Sequence, residues 1–358
     1  MSVAVPASLP GLKLDHDERH HRIPGLHPGS SLFLRQLPAK LPRGRDVLYV
    51  HGATFPSALS IAYRFDGRAW RDELCDAGFE VWALDFQGFG GSDPYPEMAR
   101  PAEHSAPLGG VADACRQLQT AVQFIRSHRG GQRVSIIAHS WASMVAGCLA
   151  ACHPELVDRL VLFGPITRRR QTMEPVRLPG WRLISLKDQW ERFTEAVPAR
   201  ATPVLSPRHF AEWGERYLDV DPDSRRRSPP SVKVPSGPFQ DILDAWAGRL
   251  AYDPACLTAP VAIVRGEWDN YCTDADAHWL FTSGAAIRRD IKIGRATHLM
   301  HLEAMRKALY RESVAFLVGG DEPQLGEQQI GEQSCNERSS ASSRCPPTSR
   351  GGRLRHRQ

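Results

Sequence analysis

Ser140 is the residue of this sequence best placed to act as a nucleophile. It stands between the apolar run VSIIAH, which predicts a strand, and the small-residue run ASMVAGCLA, which predicts a helix. A nucleophile elbow is such a strand-to-helix turn, and it needs small residues two positions before and after the serine. Ala138 and Ala142 take those positions in place of glycine. A serine that opens a helix also serves as a plain N-cap, so this segment alone leaves both interpretations open.

Backbone N–H groups near Ser140 could hold a negative charge that forms on a bound carbonyl. The free N–H groups and the dipole at a helix N-terminus favour an anion, which makes the N–H of Trp141 one predicted oxyanion donor. A second donor is expected after the run DVLYV, where the chain enters a turn at His51. Ala53, or alternatively Thr54, would aim its N–H at the same oxygen. The other interpretation is a turn that only ends the strand.

His298 is the predicted base among the 14 histidines. It lies in a short turn between the last predicted strand and the last predicted helix, whereas His301 falls where that helix is expected to have begun. His301 is therefore the alternative base, and His139 is predicted to be a structural neighbour of the elbow. Because an unperturbed histidine has a pKa of about 6.5, activity should be highest at neutral to mildly alkaline pH.

Asp269 is the predicted carboxylate that orients this base. It follows the apolar run VAIV by a short G-x-x-D turn, which would raise it to the carboxyl edge of a parallel sheet. Such a carboxylate holds the imidazole in the correct tautomer. Glu267, Asp274 and Asp276 are the alternatives.

Five short segments stand at the ends of predicted strands, where active sites of open parallel sheets gather. They are HGAT (51–54), LDFQGFGGSDPY (84–95), AHSWAS (138–143), VRGEWD (264–269) and THLMHLE (297–303). Together they resemble the α/β-hydrolase fold superfamily, in its esterase and lipase-like branch with a cap, over about residues 30–318. The order Ser, Asp, His is also that of the superfamily. Asp85 matches the loop after the fourth strand of the superfamily, where its role is structural.

The resemblance implies a serine hydrolase that cleaves a carboxylic ester (or a thioester or lactone) through an acyl-enzyme, without a metal or an organic cofactor. Ser140 argues against epoxide hydrolases and haloalkane dehalogenases, which use an aspartate at the elbow. Phe55 and Trp268 are predicted to line a pocket for a small, apolar substrate, although packing of the cap on the core would also explain such aromatic residues. The alternatives are a peptidase or amidase of the proline iminopeptidase type, which the Ser140–Trp141 pair resembles, a lyase or haloperoxidase-like enzyme, and a non-catalytic member of the fold.

The elements that must position these residues follow an α/β order. Short apolar runs alternate with segments of helical period, which predicts a mostly parallel sheet covered by helices on both faces. The predicted strands are Ser31–Arg35, Asp46–Val50, Phe79–Leu84, Arg133–Ala138, Arg159–Phe163, Val261–Val264 and Asp290–Ile293. One predicted helix carries an apolar stripe at Val111, Cys115, Leu118, Val122 and Ile125, and another is predicted over residues 302–318.

The chain divides by composition into five segments. They are an N-terminal extension (1–30), the first part of the core (31–165), an inserted helical cap (166–250), the second part of the core (251–320) and a disordered tail (321–358). The cap segment is rich in Arg, Pro and Trp, and within it DPDSRRRSPPSVKVPSGP is predicted to be irregular. The tail is predicted to be disordered because it has almost no large apolar residue.

The composition excludes several classes of protein. With 45 basic and 40 acidic residues among 358, the net charge of +5 gives no footprint for nucleic acid. The eight cysteines show no zinc spacing, and neither a signal peptide nor an apolar run long enough to span a membrane is present. We therefore expect a cytoplasmic enzyme that acts on a small molecule. The sequence does not indicate the oligomeric state.

Overall fold

An eight-stranded β-sheet forms the centre of this protein. The computed structural model describes residues 16–171, 176–284 and 286–319. The strands are β1 (Arg19–Pro24), β2 (Ser31–Leu37), β3 (Arg45–Val50), β4 (Phe79–Asp85), β5 (Val134–His139), β6 (Val157–Phe163), β7 (Trp181–Ser185), β8 (Ser231–Pro235), β9 (Val261–Gly266) and β10 (Ile287–Ile293). The large sheet has the order β1-β2-β4-β3-β5-β6-β9-β10. Strand β2 runs antiparallel to β1 and β4, and the other neighbours are parallel.

All seven strands predicted from the sequence lie in this sheet, and the α/β fold class is confirmed. Strands β5 and β9 are buried along their whole length, and β3 is buried after its first residue. Helices cover both faces, which is why these strands have continuous apolar sequences rather than alternating ones. The carboxyl ends of β3, β5, β6 and β9 therefore meet at one edge of the sheet.

Strand β1 lies within the predicted N-terminal extension and was not itself predicted. Arg19–Pro24 forms the edge strand of the sheet, paired with β2. Just before it, the carboxylate of Glu18 is fully buried and accepts hydrogen bonds from the guanidinium groups of Arg35 and, at 2.6 Å, Arg71. Burial raises the pKa of Glu18, but the hydrogen bond with His20 and these two cations hold it far below its ordinary value. The segment before β2 is thus tied to the sheet and to the first helix by buried charges.

Eight α-helices accompany the strands in the described part of the chain. They are α1 (Trp70–Asp76), α2 (Val111–His128), α3 (Ala142–Cys152), α4 (Leu186–Thr194), α5 (Pro207–Leu218), α6 (Gly237–Trp246), α7 (Asp274–Ser283) and α8 (Arg306–Val318). Helices α1 and α8 cover one face of the sheet, and α2, α3 and α7 cover the other. The predicted stripe of α2 faces the sheet, with Cys115 only partly buried. The last helix begins at Arg306, four residues later than predicted.

In its described residues, the insertion between β6 and β9 contains the α-helices α4 to α6 and one antiparallel strand pair, β7 and β8. The prediction of an irregular segment is therefore wrong over Ser231–Pro235, which forms β8. Trp213 fixes the insertion to the core, since its indole N–H donates to the carbonyl of Leu59 at 3.1 Å and its ring meets Phe55 edge to face at 5.2 Å. The insertion thus covers the carboxyl edge of the sheet near Phe55.

Two absences are noted for the described residues alone. None of their helices is long and apolar enough to cross a membrane. No group of three or more His, Cys, Asp or Glu side chains among them could hold a metal ion. The predicted disordered tail, residues 321–358, lies outside the described ranges.

Candidate active site

Ser140 occupies the sharp turn between β5 and α3. Its φ is +57°, in the left-handed region that residues other than glycine rarely adopt. The N–H of Ser140 donates to the carbonyl of Phe163 at 2.8 Å, which fixes the turn to the end of β6. Ala138 and Ala142 are fully buried on either side, so a larger residue at either position would separate the strand from the helix. The turn has the strained geometry of a nucleophile elbow.

His298 lies between Ser140 and Asp269. Its Nε2 is 2.7 Å from Ser140 Oγ, and its Nδ1 is 3.0 Å from both carboxylate oxygens of Asp269. A carboxylate can only accept, so Nδ1 carries the proton and the unprotonated Nε2 accepts from the serine hydroxyl. The three residues predicted as nucleophile, base and acid form one continuous hydrogen-bonded row.

The backbone just after β9 holds Asp269 in place. Its Oδ1 accepts from the N–H groups of Tyr271 and Cys272, each at 2.9 Å, and its side chain is completely buried. The tight G-x-x-D turn closes with a bond from the Asp269 N–H to the carbonyl of Gly266 at 3.3 Å. This leaves the carboxylate free to accept from one further donor, the imidazole of His298.

The three alternative acids contact other groups. Glu267 is exposed and accepts from the N–H of Arg295 at 2.8 Å. Asp274 pairs with Arg265, and Asp276 caps the first turn of α7. Among the described residues, only Asp269 places a carboxylate against His298.

Two further histidines are buried beside the row but do not contact Ser140 Oγ. His139 donates from Nε2 to the backbone carbonyl of His298 at 3.1 Å, and its ring stacks on Phe163 at 4.4 Å. Burial lowers the pKa of His139 well below its usual value and that of His301 to about 3. Both rings are therefore neutral near pH 7, and His139 supports the loop that carries His298. No described residue is hydrogen-bonded to either ring nitrogen of His301.

The loop after β3 packs directly on the elbow. A Cβ at Gly52 would lie 3.1 Å from His139 Nδ1 and 3.3 Å from Ser140 Cβ, so glycine lets this backbone approach. Within the described ranges, the backbone N–H groups of Ala53 and Trp141 have no hydrogen-bond acceptor. Both predicted oxyanion donors are thus available in buried backbone next to the serine.

Trp141 also connects the elbow to the insertion. Its indole N–H donates to Asp241 Oδ2 on α6 at 2.8 Å, and the same oxygen accepts from the N–H of Val111 at the start of α2, also at 2.8 Å. Burial raises the pKa of Asp241 to about 6, although both donors favour the charged form. One carboxylate therefore joins α6, α2 and the elbow.

The two predicted pocket residues differ in their surroundings. Phe55 is 3% exposed and lies between Trp213 and His301, with ring centroids 5.2 and 6.0 Å away. Trp268 is partly exposed, and its backbone N–H donates to the carbonyl of Ala296 at 2.9 Å. Phe55 thus belongs to a buried aromatic cluster at the edge of the site, whereas Trp268 fixes the loop that leads to His298.

Gly164 and Glu303 are among the residues near the row or its loop that sequence reasoning missed. Gly164 has a φ of +53°, and a Cβ there would lie 2.8 Å from His298 Nδ1 and 2.9 Å from Asp269 Oδ2. Glu303 is buried and accepts from both the N–H and the hydroxyl of Thr297, next to the base. Burial raises the pKa of Glu303 to about 7. The Gly-Pro pair after β6 and a lone glutamate in the apolar run THLMHLE were the available signals.

The triad geometry coincides with a match to a known protein family. Residues 64–304, which include Ser140, Asp269 and His298, match the model of the serine aminopeptidase family S33. The chain belongs to this family. Family S33 is an α/β-hydrolase family, so the resemblance of the five segments is confirmed.

Similarity of this S33 chain to individual proteins is low. It is 22% identical over 181 residues to a protein of Leptolyngbya boryana named "Probable proline iminopeptidase", and the match covers 50% of this chain and about half (49%) of that relative. The solved esterase of Exiguobacterium antarcticum has a TM-score of 0.56 at 15% identity, covering 83% of this chain and 98% of that one. The epoxide hydrolase of Vigna radiata has a TM-score of 0.55 at 14% identity, covering 85% and 99%. At such identities the solved structures support the shared fold alone.

Proposed function

We propose that this S33 chain is a serine hydrolase that cleaves a carboxylic ester of a small molecule through an acyl-enzyme. The observation that carries the proposal is the row from Ser140 Oγ to His298 Nε2 at 2.7 Å and from Nδ1 to Asp269 at 3.0 Å. Distances of this kind are those of a nucleophile, a general base and an orienting acid.

In the first half of the reaction, Ser140 Oγ attacks the ester carbonyl while its proton passes to His298 Nε2. The N–H groups of Ala53 and Trp141 stabilise the oxyanion, and Asp269 stabilises the imidazolium without taking its proton. The imidazolium then protonates the leaving alcohol as the carbon–oxygen bond breaks. The products of this half are a free alcohol and an acyl group esterified to the serine.

In the second half, water replaces the alcohol. His298 removes a proton from a water molecule as the water oxygen attacks the acyl carbonyl. The N–H groups of Ala53 and Trp141 then stabilise the second oxyanion. The proton returns to Ser140 Oγ as the acid departs, so the enzyme ends in its starting protonation state. No step requires a redox partner, and His298 is the histidine whose ring nitrogen lies 2.7 Å from Ser140 Oγ in the described structure.

An aminopeptidase of the proline iminopeptidase type is the second candidate. Its support is the S33 match and the relative from Leptolyngbya boryana. The same triad would cleave an amide, but the leaving group would be an amine and the substrate would carry an α-ammonium group. A panel of p-nitrophenyl esters against aminoacyl p-nitroanilides separates the two candidates by kcat/KM.

Covalent labelling tests the shared core of both candidates. A fluorophosphonate should add one adduct to the intact mass of the wild-type protein and none to Ser140→Ala. Ser143→Ala is a matched control, because Ser143 is also buried near the elbow but donates no proton to a histidine in the described structure. Wild-type protein that stays unlabelled, or Ser140→Ala that still reacts, would refute the proposed nucleophile.

A further inference from the structure

Two arginines of the insertion lie over the same aromatic ring. The guanidinium carbon of Arg182, on β7, is 4.3 Å from the ring centroid of Phe239, and that of Arg192, on α4, is 6.0 Å from it. Apart from this ring contact, neither guanidinium group forms an ion pair or a hydrogen bond with a described residue. The Nε of Arg192 is buried and has no acceptor in the described ranges. The insertion thus holds two cations over one ring, and neither guanidinium has a described carboxylate within ion-pair distance.

The nearest acidic side chains are already engaged. Asp188 accepts from the N–H and hydroxyl of Ser185 at the start of α4, each at 2.7 Å. Glu195 accepts from the side-chain amide of Asn270 at 3.1 Å and is exposed. Burial and the like charge of Arg192 lower the pKa of Arg182, and the negative charge of Asp188 opposes this effect without forming an ion pair. Two close guanidinium groups of this kind are stabilised when an anion accepts from both.

Tyr271 connects this arginine pair to the reaction centre. Its ring stacks on the imidazole of His298 at 4.6 Å, and its backbone N–H donates to Asp269. The positive charges of Arg192 and Arg182 both oppose the rise that burial causes in the pKa of Tyr271. The charge of Arg192 also contributes to the low pKa of His139. Asn270, next to Tyr271, donates to Glu195 at 3.1 Å, and Glu195 directly follows α4, the helix that carries Arg192. The end of α4 therefore meets the loop beside the proposed base.

We propose that Arg182 and Arg192 bind a carboxylate group of the substrate, so that the preferred substrates are esters that carry a second, anionic end. This inference rests on the proposed ester hydrolysis and names its substrate class. It also separates the two candidate functions, because an α-ammonium group would be repelled by the same two cations.

Two matched substrate pairs test the proposal. In the first, the p-nitrophenyl monoester of adipic acid is compared with the ester in which an isopropyl group replaces the carboxylate. In the second, p-acetoxybenzoate is compared with p-isopropylphenyl acetate, which places the anion on the leaving group. For each pair, kcat/KM for the anionic substrate is divided by kcat/KM for the neutral one, in the wild type and in the Arg182→Gln/Arg192→Gln variant. Comparing the two proteins cancels the difference in intrinsic reactivity between the substrates.

In the double variant, kcat/KM should fall about 10- to 100-fold for the anionic substrate of at least one pair, because charged hydrogen bonds to the carboxylate are removed. The kcat/KM for the neutral substrate should change little. The pair that responds assigns the carboxylate to the acyl or the leaving group. Arg208→Gln, an exposed arginine on α5 of the same insertion, should leave both ratios unchanged. Ratios that are equal in the wild type and the double variant for both pairs would overturn the proposal.

A titration with adipate keeps this result separate from the proposed function. Calorimetry measures binding without turnover, so the result does not depend on whether Ser140 reacts with a fluorophosphonate. Adipate should bind the wild type, and its affinity for the double variant should be about 10-fold lower or weaker still. Failure of labelling with retained adipate binding would refute the hydrolase and keep the anion site. Normal labelling and ester turnover without adipate binding to the wild type would refute the anion site alone.

Discussion

Glu303 should make the stability of this protein fall as the pH rises through neutrality. Its carboxyl is 1% exposed, next to the loop of the base, and burial raises its pKa from the ordinary 4.5 to about 7. A group whose pKa is raised on folding contributes stability that is fully present below pH 4.5 and lost as the pH rises through about 7. Because a tenfold change in proton affinity is worth about 1.4 kcal/mol, the loss of stability is about 3 kcal/mol.

The measurement is urea unfolding, followed by tryptophan fluorescence from about pH 4.5 to pH 8. Glu303→Gln keeps the size of the side chain and cannot ionise, so the free energy of unfolding of the wild type should fall relative to this variant by about 3 kcal/mol across that window. The difference between the two curves removes the titration of other groups. Glu103→Gln, at an exposed glutamate, should leave the wild-type slope intact. If the free energies of unfolding of the wild type and Glu303→Gln depend on pH in the same way, burial does not raise the pKa of Glu303.

Three other perturbations have defined outcomes. Asp269→Asn should reduce kcat/KM about ten-thousand-fold, because the amide stabilises the wrong tautomer of His298; an unchanged far-ultraviolet circular dichroism spectrum checks the fold, and near-normal turnover would assign the acid elsewhere. Gly164→Ala should abolish most ester turnover, because the new Cβ would displace the His298 ring. Gly130→Ala is the control: its φ of +75° is also positive but no atom lies near the new Cβ, so it should lower only the stability measured by urea unfolding. Equal ester turnover in the two variants would contradict the clash at Gly164. Asp241→Asn should remove a loss of stability that the wild type shows as the pH rises from about 4 to 6, read from urea midpoints at fixed pH; the same pH dependence in both proteins would count against burial of that carboxyl.

The sequence predicts the inner strands of the sheet well because burial on both faces requires apolar residues at every position. Strand β1 was missed because RHHRIP buries only Ile23 fully, and an edge strand needs no apolar run. Strands β7 and β8 were missed because each has five residues and both lie among arginines and prolines. In these cases the pairing partner, rather than the local sequence, determines the structure.

The row of Ser140, His298 and Asp269 could be proposed from the sequence because each residue directly follows a predicted strand. The parallel sheet then brings the strand ends to one edge. Gly164 and Glu303 could not be assigned, because their roles depend on which side chains approach them from distant parts of the chain. The arginine pair needed the structure for the same reason, since the sequence does not show which arginines lack a carboxylate.

Strand β1 and Glu18 limit how far the chain can be shortened from its N-terminal side. A chain that began at Ser31 would keep the whole row of catalytic candidates and yet leave the long edge of β2 open to pairing with other molecules. It would also leave the buried guanidinium groups of Arg35 and Arg71 without the carboxylate between them, which is costly in a poorly hydrated interior. We expect such a protein to aggregate, although it would keep every candidate catalytic residue.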